Sequence, residues 1–167
     1  MYTITMNSDE EKHILFIDSR FADGSNVDYS VIFNKSTETH ASGYPTQVFK
    51  NVTSVELTAI SVHADCLGDP TENYLVIDID ELNNRMHSNV PSINQCFATL
   101  YIDPGSPPIE KSFKGHDFDI KAKTFNPPLS SLSRLTIKLK NPNTGALVLD
   151  RAKTTMTFTI KTLKSNA

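Results

Sequence analysis

Asn73-Tyr-Leu-Val-Ile-Asp-Ile-Asp-Glu-Leu82 sets the fold class. Leu75, Ile77 and Ile79 alternate with Val76, Asp78 and Asp80, the period of a strand that buries one face and wets the other. The flanking segments, Phe49-Lys-Asn-Val-Thr-Ser-Val-Glu-Leu57 with its continuation to His63, and Cys96-Phe-Ala-Thr-Leu-Tyr-Ile102, read as strands too. In the first of these Val55, Leu57 and Ala59 share a parity, but Ile60 and Val62 take the opposite one. Such a slip predicts a bulge or bend near Ala59, because one extra residue moves every later side chain to the other face.

The final third of the chain repeats the pattern. Leu135, Ile137 and Leu139 alternate with Thr136, Lys138 and Lys140; Met156, Phe158 and Ile160 alternate with threonines and Lys161. Between them Asn141-Pro-Asn-Thr-Gly145 is a strong turn, followed by a short extended piece at Ala146–Leu149. His13-Ile-Leu-Phe-Ile-Asp-Ser-Arg20 reads as a first strand or edge-pairing arm, and Asp28-Tyr-Ser-Val-Ile-Phe-Asn34 as a second strand. Ile109–Lys114 and Phe118–Phe125 are weaker strands about a turn at 115–117, the second stopped by Asn126-Pro-Pro128. Glu81 and Arg85, four apart, suit one helical turn.

No long amphipathic helix interrupts these elements. About eight main strands therefore predict an all-β sandwich of two antiparallel sheets. The loops at 35–46, 64–72 and 83–95 predict crossovers between sheets, so a single jelly roll is expected in place of a meander. An immunoglobulin-like sandwich is disfavoured by the absence of Trp and of a paired-cysteine framework. At 167 residues the chain is expected to form one domain, with a short N-terminal arm or strand over about 1–26.

Composition narrows the function classes. With 38% hydrophobic and 21% charged residues the chain is predicted to be soluble and globular. It has no apolar run near the roughly 20 residues that cross a bilayer, so no direct membrane insertion is expected. A formal charge of −3 and a pI near 5.9 argue against a specific nucleic-acid partner. Cys66 and Cys96 show no pairing pattern and point to a reducing compartment; the first residues carry no secretory signature.

The search for chemistry returns little. Histidines at 13, 40, 63, 87 and 116 lack metal-binding spacing. Asp78 and Asp80 share a face as paired carboxylates or calcium ligands would, but read more simply as solvated side chains. Asp18-Ser-Arg20 has the parts to anchor a partner's carboxylate or to clamp its own backbone. Cys96 beside Phe97 reads as core. No catalytic, cofactor-binding or metal-binding residue is assigned, and neither cofactor nor enzymatic activity is expected.

The order of Ile17-Asp-Ser-Arg20, the strand at Tyr29–Phe33, Phe49–Leu57, Tyr74–Leu82 and Cys96–Leu100 resembles that in the single-jelly-roll penton and minor capsid proteins of large icosahedral double-stranded DNA viruses. The resemblance covers residues 14–103; the remainder agrees by strand pattern alone. It implies a structural protein of the virion, assembled in the host cytoplasm, five copies forming a ring at each fivefold vertex beside major and minor capsid proteins. Subunit contacts are then expected at Ile14, Phe16, Arg20, the loop 35–46 with Tyr44, and the strand face of Asp78 and Asp80. The competing readings are a carbohydrate- or protein-binding β-sandwich, for which Tyr44 is the exposed aromatic candidate, and a cupin-like enzyme, which would need clustered metal ligands.

Overall fold

The side chains that alternate in the sequence alternate in space: Leu135, Ile137, Leu139, Met156, Phe158 and Ile160 are all fully buried, as the two-residue period of a strand requires. The computed structural model describes residues 9–25, 27–33, 48–62, 74–83, 88–101, 111–114, 118–119, 122–147 and 153–164. Its strands are β1 (Glu10–Asp18), β2 (Asp23–Gly24), β3 (Asp28–Ile32), β4 (Phe49–Val62), β5 (Tyr74–Ile79), β6 (Ala98–Tyr101), β7 (Lys111–Lys114), β8 (Phe118–Asp119), β9 (Ala122–Leu132), β10 (Arg134–Lys140) and β11 (Thr154–Leu163).

These strands form two antiparallel sheets. The first runs β1-β11-β4, with β7 and β9 sharing the far edge of β4; the second runs β2-β3-β10-β5-β6-β8. Reduced to the longest strands, the orders are β1-β11-β4-β9 and β3-β10-β5-β6. The late strands β10 and β11 are thus inserted between early ones, and nearly every connection crosses from one sheet to the other. That is the jelly roll, and its double crossing explains why no simple meander would satisfy the long loops. The core lies between the sheets, with Leu15, Val55, Leu57, Ile60, Met156 and Phe158 from one facing Tyr29, Leu75, Ile77, Ile79, Leu135 and Ile137 from the other.

The predicted bulge is present. Thr157 pairs with Ala59 and Phe158 with Leu57, leaving Thr58 as the extra residue; its hydroxyl donates to the Thr157 carbonyl at 3.0 Å. A second irregularity leaves Thr53 unpaired between Val52 and Ser54. Its hydroxyl donates to Glu10 Oε1 at 2.9 Å, tying β4 across β11 to β1. The two bulges keep both halves of a 14-residue strand facing the core, although their sequence parities differ.

Three expectations are corrected. Asn126-Pro-Pro128 does not stop a strand: β9 leaves its register with β4 after Ala122, Lys123 and Thr124 and resumes it at Leu129. Proline lacks the N–H that a central ladder demands, but β9 pairs only with β4 and tolerates the excursion. The helical turn expected of Glu81 and Arg85 falls mostly outside the described residues. Glu81 itself reaches to β10, where its carboxylate accepts from the Thr136 N–H at 2.7 Å and from Arg134 Nε at 3.0 Å. The strand at Cys96 begins two residues later, at Ala98. Finally, β5 has no wet face: Val76 and Asp78 are buried as well as Leu75, Ile77 and Ile79. Val76 stands opposite Thr99 of β6, also buried, so the outer side of this sheet carries a second, smaller buried layer.

The approach to β3 depends on one glycine. Gly24 has φ +126° and pairs with Tyr29, where a Cβ would lie 2.4 Å from the Asp28 carbonyl oxygen and 2.9 Å from the Tyr29 Cα. Both obstacles are backbone and cannot rotate away. Gly24→Ala is expected to cost about 1–3 kcal/mol of stability, measured as a lower urea midpoint with unchanged slope.

Candidate assembly surface

Asp18, at the end of β1, builds the first element of the surface. Its carboxylate accepts from the Arg20 backbone N–H at 3.0 Å, capping the short 3-10 turn Ser19–Phe21, and also takes Arg20 Nε at 3.0 Å and Nη2 at 2.5 Å. The guanidinium hydrogen bond, more than any other influence, holds the Asp18 carboxyl below the usual carboxylate range. Arg20 in turn sits 5.7 Å from the centre of the Phe21 ring, within cation–π range. The backbone clamp open to this motif is formed.

A buried polar relay anchors the same corner. The Ser19 hydroxyl accepts from the Thr154 N–H at 3.0 Å, and the Thr154 hydroxyl lies 3.0 Å from the Tyr29 hydroxyl. The relay joins the end of β1 to β11 and, across the core, to β3. Burial holds the Tyr29 phenol well above its usual range, so it stays protonated and able to donate. With both ends of the relay satisfied, the turn bearing Arg20 and Phe21 is fixed on the sandwich.

Beyond that corner the outer face of the first sheet is assembled row by row from the register. Phe16, Thr157, Ala59 and Lys114 form one row; Ile14, Thr159, Glu56 and Ala122 the next; Asp18, Thr155, Ser61 and Ser112 lie on one side, and Lys12, Lys161, Ser54 and Thr124 on the other. Ile14 is 63% exposed, Phe16 64% and Phe21 63%. On β1 and β11 the middle of this face is therefore small, hydroxylated and apolar, with Lys12, Lys161 and Asp18 at its ends; farther from Ile14 and Phe16, the register adds Glu56 on β4 and Lys114 on β7. Depletion of charge around large apolar side chains is the compositional mark of an interface core.

Asp78 and Asp80 occupy a different place. Lys138 stands opposite Asp78 and Lys140 opposite Val76, and each lysine reaches diagonally to a carboxylate. Lys140 binds Asp78, which also takes the Asn83 side-chain amide; Lys138 binds Asp80 at 2.9 Å. The Asp80 hydrogen bond raises the Lys138 pKa. Asn83 itself is held by the Ile79 N–H, 3.0 Å from its side-chain oxygen, and by Lys123 Nζ, 3.1 Å from its carbonyl. Each aspartate thus has its own lysine. Asp78 is enclosed within the chain; Asp80 remains at the surface.

Cys96 is buried, and burial, reinforced by Asp78, pushes its thiol up to about 11. It is a protonated, unreactive thiol at neutral pH. Among the described residues no cluster of metal-ligating side chains occurs, and His13, the one histidine among them, lies against Thr162 at 3.1 Å and beside the Phe49 ring. Tyr44 and the loop 35–46 lie outside the described residues. Ile14, Phe16 and Arg20 are brought together on one corner and its adjoining face, away from Asp78 and Asp80. Sequence reasoning misses two exposed aromatics, Phe21 and Tyr101. Phe21 does carry a signal, since an aromatic directly after Arg20 in a turn has little chance of reaching the core. The chain matches no protein-family model and no curated protein.

Proposed function

We propose that the protein is a structural capsid subunit, the penton of a large icosahedral double-stranded DNA virus, five copies closing a ring at each fivefold vertex beside major and minor capsid proteins. The observation that carries this reading is the outer face of the first sheet, where exposed Ile14 and Phe16 are set among Thr155, Thr157, Ala59 and Ser61 on a jelly roll. A ring contact is heterologous, so this face would seat against a different surface of the neighbouring copy. The function is assembly, without cofactor or catalysis, in the host cytoplasm and then the virion.

Size-exclusion chromatography with light scattering tests it. The full chain, alone or with a major capsid protein, is expected to give an assembly containing a multiple of five copies of the 18.6 kDa chain, and Phe16→Asp is expected to reduce the ring by at least tenfold in affinity. A monomer that ignores shell proteins and binds a glycan tightly would replace this reading. The alternative has one feature in its favour: Tyr74 and Tyr101 lie with ring centres 6.2 Å apart, and Tyr101 is 53% exposed, a platform of the kind sugars stack on.

A further inference from the structure

The middle of the first strand, residues 13–17, is an edge that nothing in its own sequence blunts. β1 pairs with β11 over nine consecutive residues without a bulge, contains no proline, and is the terminal strand of the first sheet among the described residues. Natural sheets guard such edges with proline, bulges or inward charges, because an open edge is a template for another strand. Here charge is confined to the two ends, Glu10, Glu11 and Lys12 at one and Asp18 at the other, while 13–17 is His-Ile-Leu-Phe-Ile.

We propose that the outer edge of β1 pairs antiparallel with the β1 edge of a second copy of this chain, about a twofold axis at Leu15. The register follows from the charges. With Leu15 opposite its own counterpart, Lys12 of one copy faces Asp18 of the other and Ile14 faces Phe16 on the outer face of the sheet, while Glu10 comes toward the turn that carries Arg20; each contact occurs twice, as an isologous interface demands. Moving the axis to Ile14 sets Asp18 against Glu10; moving it to Phe16 sets Lys12 toward Arg20. Moving it midway between two residues turns one sandwich over, so that core-facing residues of one copy meet outward residues of the other. Of these registers only the one about Leu15 joins opposite charges while keeping both cores on one side.

The pairing merges two first sheets into one continuous sheet. It draws on backbone groups at the edge, so it leaves the outer face free and stands independently of the ring, whose contacts are heterologous. Ile14 and Phe16 of both copies form a single apolar strip across the join, and the Asp18 carboxylate, already positioned by Arg20, presents its charge at a fixed place.

Three variants of the full chain test this with light scattering and non-reducing gels. Wild type is expected to contain an even number of copies. Lys12→Asp, which puts like charges opposite each other twice, is expected to halve that mass at the same concentration. The double variant I14C/F16C is expected to give a disulfide-linked dimer under mild oxidation, because these positions face each other across a strand pair at disulfide distance. Lys12→Cys alone should not, since its own counterpart lies six positions away, roughly 20 Å along the strand. An odd-numbered wild-type species overturns the edge pairing, and a pentamer would do so while leaving the ring reading intact. An even-numbered species that Lys12→Asp leaves whole and I14C/F16C fails to cross-link overturns it equally, and an even assembly that is no multiple of five speaks against the ring alone.

Discussion

Phe158→Ala is expected to remove about 3–5 kcal/mol of folding stability, a large share of the roughly 5–15 kcal/mol available to a domain. Phe158 is fully buried on β11, its ring 6.4 Å from that of Phe97, which precedes β6 in the opposite sheet. The pair joins the two sheets through aromatic surface, as Phe33 and Phe49 do elsewhere with ring centres 5.3 Å apart. Truncation deletes that surface and leaves a cavity whose walls have little freedom to close, because β11 is held on one side by nine pairs to β1 and on the other by a bulged ladder to β4. Urea unfolding followed by tyrosine fluorescence or far-ultraviolet dichroism checks it. A loss below about 1 kcal/mol would mean that the sandwich collapses around the gap.

Lys140→Met is expected to destabilise by about 2–3 kcal/mol, and the double variant Lys140→Met with Asp78→Leu to recover most of that loss. The Asp78 side chain is only 9% exposed, so removing its cation strands a buried charge whose remaining side-chain partner is the Asn83 amide. Breaking such a pair costs about 3–5 kcal/mol when both members are enclosed; the Lys140 side chain is 27% exposed, and solvent screening places the expected value at or below the low end. Replacing both members with apolar residues removes the charge together with its desolvation penalty. The neighbouring Lys138–Asp80 pair supplies the contrast: Asp80 is 46% exposed, and Lys138→Met should cost no more than about 1 kcal/mol. A double-mutant cycle in urea measures each coupling. Equal costs at both lysines would contradict the difference in burial.

Part of the candidate surface is legible in the order of residues alone. Ile14 and Phe16 alternate with Leu15 and Ile17, and a strand cannot turn both sets to the same side. Which set faces outward is a matter of packing: Leu15 and Ile17 are the buried pair. The same alternation puts Asp78 and Asp80 on one side of β5, yet it says nothing of their solvation. Their immediate neighbours carry no sign of Lys138 and Lys140, which lie some sixty positions away and come alongside only when β10 inserts between β3 and β5. The partners of Glu81 are hidden for a related reason, because Arg134 and Thr136 stand 53 and 55 positions away.

Whatever depends on near neighbours along the chain is written in the sequence. The two-residue alternation sets the inward faces of β5, β10 and β11, and the change of parity after Leu57 points to a bulge near Ala59, one residue from the extra Thr58, because a strand's side chains obey a local geometric period. Tertiary contacts alone settle which strands lie side by side, that β9 runs on past two prolines because it is an edge, that Asp78 is enclosed while Asp80 is not, and that Phe16 and Ile14 border a face of threonines and alanine. Those outcomes depend on residues far apart in the chain, and no local period encodes them.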